Sequence, residues 1–172
     1  GLVIGPCKSG GTMAAFSDIV ELRLKIKDPL GVIAITSVAN EDAREDIEEP
    51  IRQTAYKQLD TGAYYIYDSE LSAWEAIDLL ISDNRIGTLI DLYGIAKSCA
   101  KVVKDIMAEL GRRLYVARTS DGAGSTDYQN LTTMRELYKA LAETFEEEAS
   151  ESAGTSTGRY LKMTRPCVGG GM

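Results

Sequence analysis

The start of the chain contains glycines spaced as in a phosphate-binding loop. In the pattern G-x-x-x-x-G-K-[ST], backbone N–H groups cradle the phosphates and the lysine reaches their charge. Segment Gly5–Thr12 has the glycine spacing and the final hydroxyl of this motif, but Gly11 replaces the lysine and Pro6 removes one N–H group. We interpret residues 1–14 as a flexible leader, and a nucleotide-binding protein that uses this segment is an alternative.

The rest of the chain offers few residue types for catalysis. It has no histidine, which excludes Ser-His and Cys-His nucleophile pairs and a histidine base within this chain. Its three cysteines, Cys7, Cys99 and Cys167, are far apart and too few for a zinc site. Carboxylates and lysines remain available for catalysis but form no recognisable signature, so we expect a protein that is not an enzyme and has neither cofactor nor metal. Cys99 is expected to be a buried small side chain.

Size and charge narrow the class of protein further. A chain of 172 residues predicts one domain, and its formal net charge of −7 argues against a general nucleic-acid binder. The same charge suits an acidic wall that DNA passes without binding. No apolar run approaches the roughly 18 residues of a membrane span, so we expect no membrane contact.

The first half of the chain predicts a small amount of β structure. Residues 17–28 alternate apolar and basic side chains, which is typical of a half-buried strand, although a short helix capped by Ser17 or Asp18 also fits. Residues 54–67 predict a hairpin that turns at Gly62. Its tyrosines either pack across the strands or form a peptide-binding platform. They are Tyr56, Tyr64, Tyr65 and Tyr67.

Three helices are predicted after the hairpin. The first covers residues 69–82 and is expected to place Trp74 in the core. The second covers about 85–113, is capped by residues 82–84, and is separated by a loop over 115–129 from a third helix over about 130–150. The apolar faces of the second and third helices are expected to be Ile86, Leu89, Ile90, Tyr93, Ala96, Ala100, Val103, Met107, Leu110 and Leu114, then Leu131, Met134, Leu137, Leu141 and Phe145.

The C-terminal stretch changes from linker-like to basic and apolar. Its second part alternates cations with apolar or aromatic side chains and is too short to bury its own surface. Segments of this kind commonly add to a groove or sheet edge of another molecule, so we expect an extended arm that becomes ordered on a partner. The expected partner-binding residues are Arg159, Tyr160, Leu161, Lys162, Met163 and Arg165.

These elements together predict a mainly α fold. It has a three-helix core, a small N-terminal β hairpin or extended region, and an extended C-terminal arm. The chain is divided into a leader over residues 1–14, a helical domain over 15–150 and the arm over 151–172. Met13 is a candidate for a start of its own.

The order of these segments resembles the head-to-tail connector, or adaptor, proteins of tailed bacteriophages. The resemblance spans roughly residues 17–172, and its specificity lies in the order of the segments. They are ELRLKIKDPLG at 21–31, QTAY at 53–56, DTGAY at 60–64, the segment around Trp74, ISDNRI at 81–86, GTSTGR at 154–159 and the glycines near the end.

This resemblance implies a structural virion protein. Subunits of the family form a ring, commonly of about twelve copies, that joins the portal protein to tail or stopper proteins and lets DNA pass. The implied localisation is the virion, after assembly in the host cytoplasm. A scaffold or peptide-binding domain that uses the tyrosines of 54–67 is a further alternative.

Overall fold

The structure is a computed structural model that describes residues 14–120 and 124–157, with side chains described as far as residue 151. Helices account for most of this part, as the mainly α prediction requires, and a four-stranded sheet is added to them. The elements are α1 (Phe16–Ile26), β1 (Ala34–Val38), α2 (Glu41–Glu45), β2 (Thr54–Gln58), β3 (Tyr64–Asp68), β4 (Ala73–Ala76), α3 (Asp83–Ser120) and α4 (Thr126–Thr157).

The first element is a helix, so the strand interpretation of residues 17–28 is wrong and its helical alternative is confirmed. Ile19, Leu22, Arg23 and Ile26 are buried, at the three- and four-residue spacing of one helix face. The apolar and basic alternation is misleading because Arg23 lies inside the fold. The N-cap is Ala15, without a side-chain hydrogen bond, so the expected caps are not used.

The sheet has strand order β1-β2-β3-β4. The first two strands are parallel, and α2 lies in the connection between them, where the Asn40 side chain accepts a hydrogen bond from the backbone N–H of Ala43 at 2.9 Å. The remaining strands are antiparallel neighbours, with Tyr56 opposite Tyr65. The predicted hairpin over 54–67 is confirmed, within a larger sheet than the sequence analysis expected.

The predicted helix over 69–82 is wrong, because this stretch contains the edge strand β4. The Asp68 carboxylate accepts hydrogen bonds from the backbone N–H groups of Glu70 and Leu71, at 2.7 and 3.2 Å, and so begins a turn. Ser72 completes it with a φ of 50°. Trp74 then lies opposite Tyr67 and is half-buried on the sheet, outside the core in which it was expected.

Two long helices form the second half of the described chain. The Ser82 hydroxyl accepts from the N–H of Arg85 at 3.3 Å, which confirms the expected cap at the start of α3. This helix continues to Ser120, so the loop predicted from residue 115 is wrong at its start. The fourth helix ends at Thr157, so the start of the predicted extended arm, residues 151–157, is helical.

The main core is formed by α1, by the segments of α3 on both sides of Gly94 and by α4, so the predicted three-helix core is only partly correct. The long apolar face expected for the second predicted helix is interrupted at Gly94, where the backbone leaves the helical conformation, and Tyr93 and Ala96 are exposed. Cys99 is buried, as expected. The buried residues are Ile19, Leu22, Ile26, Ile81, Ile86, Leu89, Ile90, Cys99, Val102, Val103, Ile106, Leu110, Tyr138 and Ala142, and the five predicted apolar positions of α4 pack against them.

Candidate functional site

The two segments to which the sequence analysis assigned binding lie outside the described residues. They are the phosphate-loop candidate Gly5–Thr12 and the partner-binding residues Arg159, Tyr160, Leu161, Lys162, Met163 and Arg165. The described residues contain two other arrangements of charged and aromatic side chains. One is buried between α1, the sheet and α3, and the other lies on the surface of α3.

The buried arrangement, called the polar cluster here, consists of Arg23, Asp28, Lys57, Tyr64 and Asp83. Arg23 Nη2 lies 2.6 Å from Asp83 Oδ1, and Arg23 Nη1 lies 3.1 Å from Asp28 Oδ2. Lys57 Nζ lies 2.6 Å from Asp83 Oδ2, and the Tyr64 hydroxyl donates to the same oxygen at 2.9 Å. The cluster thus joins α1, β2, β3 and the first turn of α3.

The charges of the polar cluster balance one another. Burial raises the pKa of Asp28, against the opposing charge of Arg23. Burial also favours the neutral form of Asp83, but hydrogen bonds from Lys57 and Arg23, with the charge of Arg23, hold its pKa below the ordinary value. Burial and the neighbouring Asp83 charge raise the pKa of Tyr64. Two cations facing two carboxylates hold the elements together and leave no charge for a ligand.

A cavity of about 590 Å³ lies beside the polar cluster. Its lining includes Phe16, Ile19, Thr88 and Asp91 together with Lys57 and Asp83 of the cluster. The charged atoms of the cluster that line it are already bonded to each other. Among the residues that the structure describes, no group of three or more His, Cys, Asp or Glu side chains is placed to hold a metal ion.

The tyrosines of the hairpin divide between the two faces of the sheet. Tyr64 belongs to the polar cluster, whereas Tyr56 and Tyr67 meet the Trp74 ring edge-on, at centroid distances of 5.1 and 5.2 Å. The guanidinium of Arg44, from α2, stacks on Tyr65 at 3.8 Å. The cross-strand packing that the sequence analysis offered as one interpretation is therefore present.

The surface arrangement, called the elbow here, is the bend of α3 at Gly94 and the groove beside it. Gly94 has φ 76° and ψ 169°. Residues on both sides of the bend face each other, and Arg85 Nε donates to Asp105 Oδ2 at 2.8 Å across it. The groove holds about 310 Å³ and is lined by Arg85, Leu89, Leu92, Tyr93, Lys101, Lys104 and Asp105.

Apolar side chains are exposed at the elbow and again near the far end of α3. Leu92 is 66% and Tyr93 45% exposed, and Tyr115 and Val116 are 71% and 51% exposed. At a rise of 1.5 Å per residue, the two pairs lie roughly 33 Å apart along the helix. These two pairs of exposed apolar residues are candidate contact sites for other molecules.

The sequence analysis missed both arrangements, although each had a signal. Arg23 occupies a position that continues the helical spacing of Ile19, Leu22 and Ile26, which indicated a buried cation in need of carboxylates. Gly94 interrupts a long apolar pattern, which indicated a bend.

Comparison of the chain with models of protein families, with curated proteins and with solved structures found no match. In the described part of the chain, none of the helices combines the length and apolarity that a membrane span requires.

Proposed function

We propose that this chain is a structural virion protein of a tailed phage: a subunit of the head–tail connector ring that joins the portal to the tail and lets DNA pass. The proposal rests on a contrast between the buried charged residues and the exposed apolar residues of the described part of the chain. Buried charges pair with one another and hold the shape of the subunit, whereas apolar side chains are exposed at separate places on the long helix α3.

The length of α4 supports an arm that acts between molecules. An apolar groove beside Leu30, Ile33 and Leu137 lies about 20 residues, or roughly 30 Å, before the end of α4 at Thr157. A segment that continues from the end of α4 therefore starts far from this groove, which supports our assignment of its binding residues to contacts with other copies or the portal.

The negative net charge of the chain supports our proposal that DNA passes the protein without being bound. The formal net charge is −7, from 26 acidic and 19 basic residues. A surface of this sign neither neutralises phosphates nor releases counterions, which is what binding to DNA requires.

The proposal is tested by the mass of the protein in solution and by removal of the arm. We expect the full chain to form a ring of about twelve copies, alone or on addition of a portal ring. A variant that ends at Thr157 should retain the helical circular dichroism spectrum and cooperative unfolding but fail to assemble or to bind the portal. A variant that lacks residues 1–13 is the matched control and should behave as the full chain does. Normal assembly without the arm would contradict its assigned role.

A further inference from the structure

The backbone at the elbow adopts a conformation that only glycine tolerates. Gly94 combines a positive φ of 76° with a ψ of 169°, and it lies at the kink where the two helical segments of α3 meet. The bend lets apolar residues on both sides of Gly94 pack in the same core, and it places Leu92 and Tyr93 at the surface beside a groove.

Two exposed lysines accompany these apolar side chains. Lys97 and Lys101 are one helical turn apart, and the Lys101 ammonium lies 4.3 Å from the centroid of the Tyr93 ring. Neither lysine forms an ion pair with a described residue, whereas the nearby Arg85 and Lys104 pair with Asp105 and Glu146. The elbow therefore offers two cations that have no carboxylate partner among the described residues.

The exposed face of α4 carries the complementary pattern. Glu143 and Glu147 are also one turn apart, are exposed, and form no ion pair with a described residue. The small side chains of Ala140 and Thr144 lie exposed beside them on the same face. This surface complements the elbow, because it combines carboxylates with small residues whereas the elbow combines lysines with large apolar residues. In each surface the two charged residues are about 6 Å apart along the helix.

We propose that the elbow of one copy binds the outward face of α4 of a second copy. Lys97 and Lys101 face Glu143 and Glu147 of the second copy, while Leu92 and Tyr93 cover its small residues. The inference rests on the proposed function, because it requires several copies, and it adds which surfaces meet. Two different surfaces meet in this contact, so repeating it builds a closed ring or an open helix, as a connector needs.

Charge reversal tests the pairing directly. The variants are Lys97→Glu with Lys101→Glu, Glu143→Lys with Glu147→Lys, and the combination of all four changes. We expect each double variant to need at least tenfold more protein to assemble than the unchanged chain, by analytical ultracentrifugation. The combined variant should regain assembly because the charges again oppose each other. Arg52→Glu, an exposed charge reversal on the sheet side, is the matched control and should assemble normally.

Each outcome of this experiment decides between the two proposals. If the unchanged chain is monomeric at every concentration, with and without a portal ring, both this inference and the proposed function are wrong. If it assembles and the reversals have no effect, or the combined variant is not rescued, only the elbow contact is wrong. Leu92→Ser gives a second readout that keeps all charges, and it should weaken assembly while the thermal unfolding midpoint stays unchanged.

Discussion

The polar cluster and the elbow use the same kinds of residue for opposite purposes. In each, a cation lies over a tyrosine ring: Arg23 at 5.2 Å from Tyr64 and Lys101 at 4.3 Å from Tyr93. Arg23 is completely buried and surrounded by carboxylates, whereas Lys101 is exposed and has none among the described residues. Burial therefore determines whether a cation and its tyrosine ring stabilise the fold or stay accessible for binding to another molecule.

The energetic consequences of a substitution differ accordingly. Removing one partner from a buried ion pair leaves a charge without water or counter-charge, which costs several kcal/mol. A solvent-exposed charge regains water when its partner is removed, so its loss changes stability little. Variants of the polar cluster should therefore alter the stability of the subunit, and variants of the elbow should alter its assembly.

The largest effect is expected for Arg23→Met. It removes the guanidinium that contacts both Asp28 and Asp83, and we expect a loss of about 3–5 kcal/mol in the free energy of unfolding by urea titration. Adding Asp28→Asn should recover part of this loss, because one buried charge is then removed. Arg85→Met, at an exposed pair, is the matched control. If Arg23→Met and Arg85→Met both lowered the free energy of unfolding by the same small amount, the polar cluster and the elbow would not differ as we expect.

A smaller and pH-dependent effect is expected for Asp83→Asn. This change weakens hydrogen bonds to Arg23 and Lys57 and should cost about 1.5–3 kcal/mol at neutral pH. Because the folded state lowers the pKa of Asp83 below 3.8, its contribution is full above that pH and is lost as the pH falls through the folded-state pKa. The stability difference between the two proteins should shrink below about pH 4. A difference that does not change with pH would contradict this account.

The smallest of these effects is expected for Gly94→Ala, which tests whether α3 needs its bend at the elbow. Apart from its chain neighbours, no described residue has an atom within 4 Å of the added methyl group, so the cost is that of the strained backbone conformation, about 1–2 kcal/mol. Gly111→Ala is the matched control, since Gly111 is helical and also has open space, and it should stabilise the protein by roughly 0.5–1 kcal/mol. Thermal unfolding measures both. Stabilisation by both changes would mean that α3 does not need its bend.

Local patterns in the sequence predicted the hairpin and the long helices well because their determinants are close in sequence. Gly62 at the turn and the Ser82 hydroxyl at the start of α3 are examples. The segment around Trp74 shows where such reasoning fails. Its serines resemble helix caps, but pairing with β3 outweighs that preference, since strand pairing depends on residues elsewhere in the chain.

The polar cluster could not be derived from spacing because its members come from distant parts of the sequence. Arg23 and Asp83 are 60 residues apart, and Lys57 contacts Asp83 from β2, 26 residues away in the sequence. The same limitation applies to Tyr138, whose hydroxyl donates to the Lys27 carbonyl at 2.7 Å across 111 residues. A buried cation could be anticipated from the helical spacing of α1, but its partners could not.

The native mass of the full chain, measured across a range of concentrations with and without a portal ring, tests the central claim most directly. The account predicts one discrete species of about twelve copies, which needs at least tenfold more protein to form when Lys97 and Lys101 are both changed to Glu. A folded chain that remains monomeric under every one of these conditions would contradict it.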